Sequence, residues 1–122
     1  MKKSFILSLI LFVVAFAASA DSIWFVTGTD LNEWAVDFKM FIGGKDYNEA
    51  NCYKFIEYIT GVIDANYDLG GANGAKYFKI PTETTVDAVA TAVSVYLDAH
   101  KDKLDDPGAY LVVEALAHAY PK

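Results

Sequence analysis

The apolar pattern between Tyr47 and Asp68 constrains the fold more than any other feature of the chain. Its apolar residues recur at three- and four-residue intervals and therefore share one helical face. They are Cys52, Phe55, Ile56, Ile59, Val62 and Ile63. At about 1.5 Å per residue such a helix spans about 30 Å, which is close to the diameter of a small domain. We therefore predict a long central helix against which the other elements pack.

A first helix is predicted to begin near Asp30, whose side chain can cap free backbone N–H groups, with Glu33 completing a capping box. Its apolar face repeats at helical spacing in Leu31, Trp34, Ala35 and Phe38. Gly43-Gly44 is predicted to end the helix. The preceding residues, Asp21 to Gly28, are expected to lead into it, with Ile23, Trp24, Phe25 and Val26 packing on the core.

Thr84 or Thr85 is predicted to cap a third helix, with Asp87 near its positive end. The many β-branched residues in this stretch leave a strand open as the alternative. The helical spacing of the apolar residues favours a helix over a strand.

A fourth helix is predicted after Asp106, with Asp106 as the cap, Pro107 in the first turn and Pro121 at the end. Four helices with short connections predict an all-α fold, a small single-domain bundle of four main helices.

Residues 69–78 contain the run Gly70-Gly71-Ala72-Asn73-Gly74 and are predicted to form no regular structure. The run lacks the Lys-Ser or Lys-Thr ending of a phosphate-binding loop, which excludes that kind of nucleotide site. Two interpretations stay open, a plain connection and a recognition loop held on a rigid scaffold.

Residues 1–20 have the three parts of a secretory signal: Lys2 and Lys3, an apolar stretch, and small residues at Ala18-Ser19-Ala20. An uncleaved anchor is the alternative, but the apolar stretch is shorter than the ~20 residues that span a bilayer. We predict a cleaved signal peptide followed by one exported domain over residues 21–122, with no membrane attachment after cleavage.

The net negative charge of the chain limits the kinds of molecule that it can bind. Residues 1–20 hold two of the ten cationic side chains and none of the sixteen acidic ones, so the remainder carries a formal charge of −8. Nucleic-acid binding draws on clustered Lys and Arg, and this chain contains no Arg. A basic protein partner fits the charge, and a simple role in solubility fits it equally well.

No arrangement of residues predicts catalysis or a cofactor. His100 and His118 are eighteen residues apart and have no metal-ligand spacing. Cys52 has no neighbouring base in the sequence and is predicted to be a buried small hydrophobe. Ser22 and Ser94 lie in no nucleophile pattern. We therefore predict a binding protein rather than an enzyme, with no metal and no cofactor.

An ordered set of short motifs runs through the chain. The motifs are Gly28-x-x-Leu31, Tyr58-Ile-x-Gly61-Val-x-Asp64, Phe78-x-x-Pro81, Tyr96-Leu97, Pro107, Leu111-Val112 and Ala115-Leu116-x-x-Ala119-Tyr120-Pro121. Together they resemble the Rap/Tai family of type VI secretion immunity proteins over nearly all of residues 21–122. Members of that family commonly have cysteines at three places that are held here by Phe55, Lys79 and Lys122.

The resemblance implies a periplasmic helical protein that binds a peptidoglycan amidase effector and occludes its active-site cleft. It also implies a homodimer. The alternative is a periplasmic acid-stress or chaperone-like helical protein, since the excess of Asp and Glu would permit an acid-driven switch.

Family motif residues are expected to be structural: Tyr58, Gly61, Asp64, Phe78, Pro81, Pro107 and Pro121. We expect Gly61 to allow a close helix contact, Asp64 to form a cap or a buried hydrogen bond, and the first two prolines to precede helices. Effector contact is expected on the variable surface after the central helix, at Asp64, Tyr67, Asp68, Asn73 and Tyr77.

Overall fold

A computed structural model describes residues 26–122, and this part of the chain folds as an all-α domain, as predicted. Its four α-helices are α1 (Gly28–Ile42), α2 (Glu49–Gly70), α3 (Val86–Ala99) and α4 (Gly108–Ala119). Short 3-10 turns follow α2 at Gly71–Asn73 and α3 at Lys101–Lys103. An isolated antiparallel bridge pairs Thr27 with Pro107.

The predicted signal peptide, residues 1–20, and the expected packing of Ile23, Trp24 and Phe25 lie outside the described residues. Val26 is described, and it packs half-buried against the core. Within residues 26–122, none of the helices combines the length and the hydropathy required of a bilayer-crossing segment.

The core is built from the apolar faces of all four helices together with Phe78 from the α2–α3 connection. Its buried members are Leu31, Ala35, Phe38, Cys52, Phe55, Ile59, Phe78, Val89, Ala90, Val93, Leu97, Leu111, Val112, Ala115 and Leu116. The rings of Phe38 and Phe55 lie 5.4 Å apart where α1 crosses α2. Cys52 packs among these side chains as a small hydrophobe, which confirms that part of the prediction.

α1 begins one turn earlier than predicted. Thr27 is the N-cap: its hydroxyl accepts a hydrogen bond from the Asp30 N–H, and the Asp30 carboxylate accepts one from the Thr27 N–H. The prediction of Asp30 as the cap and Glu33 as its partner is therefore wrong. The pairs Thr27–Asp30 and Asp30–Glu33 both have the spacing of a capping box. The pair at Thr27 forms because Gly28 packs closely against α4 and the residues before it.

The glycine junction, as we name the contact between residues 26–29 and residues 104–108, is held by backbone atoms. The Gly28 N–H donates to the Asp106 carbonyl at 3.0 Å, and the Gly108 N–H donates to the Val26 carbonyl at 2.6 Å. A Cβ at Gly28 would lie 2.7 Å from the Leu104 Cα, and one at Gly108 would lie 2.9 Å from the Val26 carbonyl oxygen. Both positions therefore require glycine for close backbone approach.

α4 is not capped by Asp106, so that prediction is wrong. Pro107 is the N-cap residue and no side chain caps the helix. The first free N–H, that of Gly108, is satisfied instead by the carbonyl of Val26. Because a distant backbone segment supplies this acceptor, the local capping signal was misleading.

The other two helices follow the predictions closely. α2 has 22 residues and is capped by Asn48, so it begins and ends two residues later than predicted. α3 is a helix and not a strand, with Thr85 as its cap and Asp87 in its first turn. These two helices flank the connection that carries the candidate site.

Candidate functional site

Asn66 ties the connection after α2 back onto that helix. Its side chain is 2% exposed. Oδ1 accepts hydrogen bonds from the N–H groups of Tyr77 (2.7 Å) and Phe78 (3.3 Å), and Nδ2 donates to the Phe78 carbonyl (2.9 Å). The Asn66 carbonyl also accepts a hydrogen bond from the Lys76 N–H at 3.1 Å. One buried residue therefore sets the backbone path of residues 76–78.

Two more hydrogen bonds extend this fixed stretch. The Tyr67 hydroxyl accepts a hydrogen bond from the Ile80 N–H at 3.0 Å. The Lys79 N–H donates to the Tyr120 carbonyl, beyond the end of α4, at 3.0 Å. We call residues 76–80 the clamped segment. It has no regular secondary structure, yet helices on both sides hold it in place, as is typical of recognition loops.

A groove enclosing ≈ 320 Å³ runs between α2, the clamped segment and the start of α3. Aliphatic and hydroxyl side chains form most of its lining: Ile59, Thr60, Ile63, Ile80, Pro81, Thr82, Thr84, Val86 and Val89. Asp64 and Tyr67 complete the lining. Asp64 is the one acidic or basic residue among the described residues that line the groove, so the charge of the lining is negative.

A second hollow of ≈ 190 Å³ lies between α2 and α4 on the other side of Asn66. Its lining is almost wholly apolar and includes Val62, Leu69, Tyr77 and Val113. Leu69 and Tyr77 are exposed on its rim. The Lys76 ammonium nitrogen lies 5.2 Å from the centroid of the Tyr77 ring, which places a cation beside an exposed aromatic surface. Exposed apolar and aromatic surface of this kind is typical of protein contacts.

The expected effector-contact residues are all exposed, but they do not form one site. Asp64 and Tyr67 line the groove, whereas Tyr77 lines the hollow on the other side of α2. Asp68 and Asn73 lie outside the lining of both. Tyr67 also has a structural role that the sequence did not indicate, because its hydroxyl holds Ile80.

Two of the family motif residues have other roles than expected. A Cβ at Gly61 would meet no atom of residues 26–122 within 4 Å, so Gly61 does not provide a close contact with another helix of this part of the chain. Close approach is found instead at Gly28 and Gly108. Asp64 forms neither a cap nor a buried hydrogen bond, because it is exposed and α2 continues past it to Gly70.

The remaining motif residues surround the clamped segment and the glycine junction. Tyr58 is half-buried and packs its ring against Trp34, with 6.2 Å between the ring centroids. Phe78 is fully buried and anchors the clamped segment in the core. Pro81 accepts a hydrogen bond from Thr84 in the turn before α3, and Pro121 follows α4.

Positions where the family commonly has cysteine are occupied by noncovalent contacts. Phe55 lies fully buried in the core. The Lys79 N–H bonds to the Tyr120 carbonyl, and the Lys122 ammonium bonds to the Lys76 carbonyl at 3.2 Å. The C-terminus is therefore held against the clamped segment by hydrogen bonds.

A polar cluster between α3 and α4 is centred on Glu114. Its carboxylate accepts hydrogen bonds from the hydroxyls of Tyr110 and Tyr96, both at 2.6 Å, and lies 3.5 Å from the Lys103 ammonium. The hydrogen bonds from Tyr110 and Tyr96, in that order, hold the pKa of Glu114 below its usual value. No local sequence pattern predicts this cluster, since its members come from three separate elements.

His100 and His118 line the same shallow depression beside Glu114, despite their separation in the sequence. The His100 ring stacks on Tyr96 at 3.9 Å between centroids. Its Nδ1 lies 2.8 Å from the Tyr96 carbonyl oxygen, which can only accept, so Nδ1 carries a proton. In residues 26–122, no three His, Cys, Asp or Glu side chains are grouped as metal ligands.

Cys52 is placed unfavourably for nucleophilic chemistry. Its side chain is buried in the core, and burial raises the pKa of the thiol. The charged groups that act on it, Asp37, Asp87 and Glu49, are carboxylates that raise the pKa further. An activated cysteine has the opposite environment, with cations that stabilise the thiolate.

Comparison with known proteins places this helical scaffold in one family. Neither a curated protein nor a solved structure matches the chain. A family-wide sequence profile described as Rap1a immunity proteins matches residues 27–121, from the N-cap of α1 to the proline after α4. The chain belongs to the Rap1a immunity protein family.

Proposed function

We propose that this protein is an exported immunity protein that binds a type VI secreted peptidoglycan amidase and occludes its active-site cleft. The observation that carries the proposal is the family match over residues 27–121. An immunity protein acts by binding a toxin, so the function requires a stable contact surface rather than a catalytic centre.

Export is supported by the first twenty residues. Lys2 and Lys3, the apolar stretch and Ala18-Ser19-Ala20 have the order of a cleavable signal, which leaves residues 21–122 as the proposed mature domain. Peptidoglycan lies outside the inner membrane, so a protein that guards it from an amidase acts in the periplasm. Cell fractionation with N-terminal sequencing tests the location and the cleavage site together.

The contact surface that we propose is centred on the clamped segment. Its backbone is fixed by Asn66 and Tyr67, so little ordering is required when a partner binds. Tyr77 is 47% exposed and presents rigid aromatic surface beside this backbone. Asp64 and Asp68 add negative charge along the same end of α2.

Periplasmic co-expression with a panel of type VI amidases tests the function. The full chain is expected to prevent lysis by its cognate amidase, and a tagged copy is expected to retain that amidase in a pull-down. If neither protection nor a complex is found with any amidase of a broad panel, the amidase assignment is wrong.

The surface is tested by replacing Asp68, Asn73 and Tyr77 together with alanine. All three side chains are exposed, and the loss of a contact aromatic is expected to weaken binding at least about tenfold. Val95→Ser, at an exposed position of α3, is the matched control and is expected to leave affinity unchanged. Equal affinity for the triple variant and the wild type would place the contact elsewhere.

We also propose that the protein is a homodimer, as the family resemblance implies. Sedimentation equilibrium of the exported protein tests this directly, because a dimer doubles the observed mass. A single species at the monomer mass over the micromolar range would refute the dimer.

A further inference from the structure

We propose that the groove between α2 and α3 receives an arginine side chain from the partner protein. The proposal rests on the proposed function, since the arginine belongs to the effector, and it names the chemistry that the groove selects. It is carried by four features of the groove: a carboxylate, an immobilised aromatic ring, aliphatic walls and the absence of a competing cation among the described residues that line it.

Asp64 supplies the carboxylate. It is exposed on α2 and lines the groove without a hydrogen-bonding partner among residues 26–122. A guanidinium presents paired N–H donors whose spacing matches a carboxylate, so an arginine can bind it through two hydrogen bonds.

Tyr67 supplies the aromatic surface three residues further along the same helical face. Its hydroxyl accepts a hydrogen bond from the Ile80 N–H, which restrains the ring at the groove before any ligand binds. Guanidinium groups stack on such rings, and an immobilised ring loses little entropy when they do.

The walls suit the rest of an arginine side chain. Ile63, Ile80 and Val86 line the groove with aliphatic carbon, and Val86 is 50% exposed. Long cationic side chains pack their methylene stems along apolar surface while the charged end stays near a polar group. A groove of ≈ 320 Å³ has room for one such side chain.

The surrounding charge favours a cation over an anion. Glu83 and Asp87 are exposed near the start of α3 and adjoin lining residues in the sequence. The formal charge of residues 21–122 is −8. Lys79 precedes Ile80 and is exposed, but it does not line the groove. Glu83 and Asp87 also do not line it, so the attraction for a cation comes mainly from Asp64, with the net negative charge of the domain adding to it.

Titration with a small probe tests the groove without the effector. Protein exported from cells that express the full chain is labelled with ¹⁵N and titrated with Nα-acetyl-L-arginine N-methylamide. The citrulline analogue, which has the same shape without the charge, is the ligand control. Backbone amide shifts should change at Asp64, Tyr67, Ile80 and Val86, with weak affinity and a preference for the arginine probe.

Two variants test whether the Asp64 carboxylate binds the arginine probe. Asp64→Asn is expected to weaken the arginine probe between about twofold and fivefold, as for an exposed ion pair. Glu57→Gln is the matched control, because Glu57 is an exposed carboxylate on α2 that does not line the groove. It is expected to leave the affinity unchanged.

Three results would overturn the inference: equal affinity for arginine and citrulline, equal losses for the two variants, or shifts confined to residues outside the groove. Because the probe replaces the effector, this outcome is separate from the co-expression result. Loss of protection with intact probe binding would refute the amidase assignment, and protection without probe binding would refute the arginine groove.

Discussion

The glycine junction and the clamped segment solve the same problem, the attachment of an irregular connection to helices, with different groups. At the glycine junction, the backbone of residues 26–29 bonds directly to that of residues 104–108, and the close approach excludes a Cβ at Gly28 and Gly108. At the clamped segment, the side chains of Asn66 and Tyr67 reach the backbone, and Tyr77 and Lys79 stay exposed.

The difference has a functional meaning. Backbone-to-backbone packing at the junction brings two helices together and leaves little room for side-chain variation. At the clamped segment, helix side chains hydrogen-bond to the backbone. The exposed side chains of the segment can therefore change while its backbone conformation stays the same. The clamped segment can therefore present different side chains on an unchanged backbone, which is the property expected of a recognition loop on a rigid scaffold.

Gly28→Ala should give the largest effect on stability. The added Cβ would lie 2.5 Å from the Leu111 Cδ1 and 2.7 Å from the Leu104 Cα, and moving the backbone away would break the Gly28–Asp106 hydrogen bond. We expect a loss of about 3 kcal/mol in the free energy of unfolding, measured by urea denaturation.

Gly61→Ala is the matched control for that measurement. Gly61 is exposed within α2 and has open space around it, so alanine should stabilise the helix by about 0.5–1 kcal/mol. If the two glycine variants have equal stability, the junction is not a close contact and the comparison fails.

Asn66→Ala should give the next largest effect. It leaves the N–H groups of Tyr77 and Phe78 and the Phe78 carbonyl without their side-chain partner, at a cost of about 2 kcal/mol. Hydrogen exchange at those two amides should become faster than at amides of the glycine junction. Asn73→Ala, at an exposed asparagine, should change stability by less than about 0.5 kcal/mol.

The smallest expected effect is a pH dependence of stability, which should be found near the glycine junction but not at Asn66. Lys103 lies next to the junction and contacts Glu114, whose pKa is lowered in the folded protein by its tyrosine hydrogen bonds. The stabilisation that the Glu114 carboxylate contributes is therefore present above its unfolded pKa of about 4.3. It is lost as the pH falls through the lower pKa that Glu114 has in the folded protein.

Glu114→Gln should thus reduce stability by at most about 1 kcal/mol at pH 7, and the difference from wild type should shrink in acid. Urea unfolding between about pH 3 and pH 7 measures this trend. The loss from Asn66→Ala should stay constant over the same range, because an amide does not titrate there. A constant Glu114→Gln difference would contradict the assigned pKa direction.

The sequence predicted the helices well because each has an apolar face at regular spacing and most of its boundary signals are local. The start of α1 was ambiguous, since Thr27–Asp30 and Asp30–Glu33 both have the spacing of a capping box. Only the distant contact of Gly28 with α4 decides between them.

The site was harder to predict. Asn66 was missed because a polar residue on a helix is usually solvated, although it continues the stripe of Ile59 and Ile63 at helical spacing. That position on the apolar face was the available signal. The division of Asp64 and Tyr77 between a groove and a hollow depends on the path of the clamped segment, which no local pattern encodes.

The most direct test of the account is the affinity of the cognate amidase, identified by co-expression, for wild-type, Asn66→Ala and Gly28→Ala proteins at a temperature where all three are folded. If the clamped segment is the recognition surface, Asn66→Ala should weaken binding at least about tenfold. Gly28→Ala costs more stability but should leave affinity within about twofold. Equal affinity of Asn66→Ala and wild type would contradict the claim that this segment recognises the amidase.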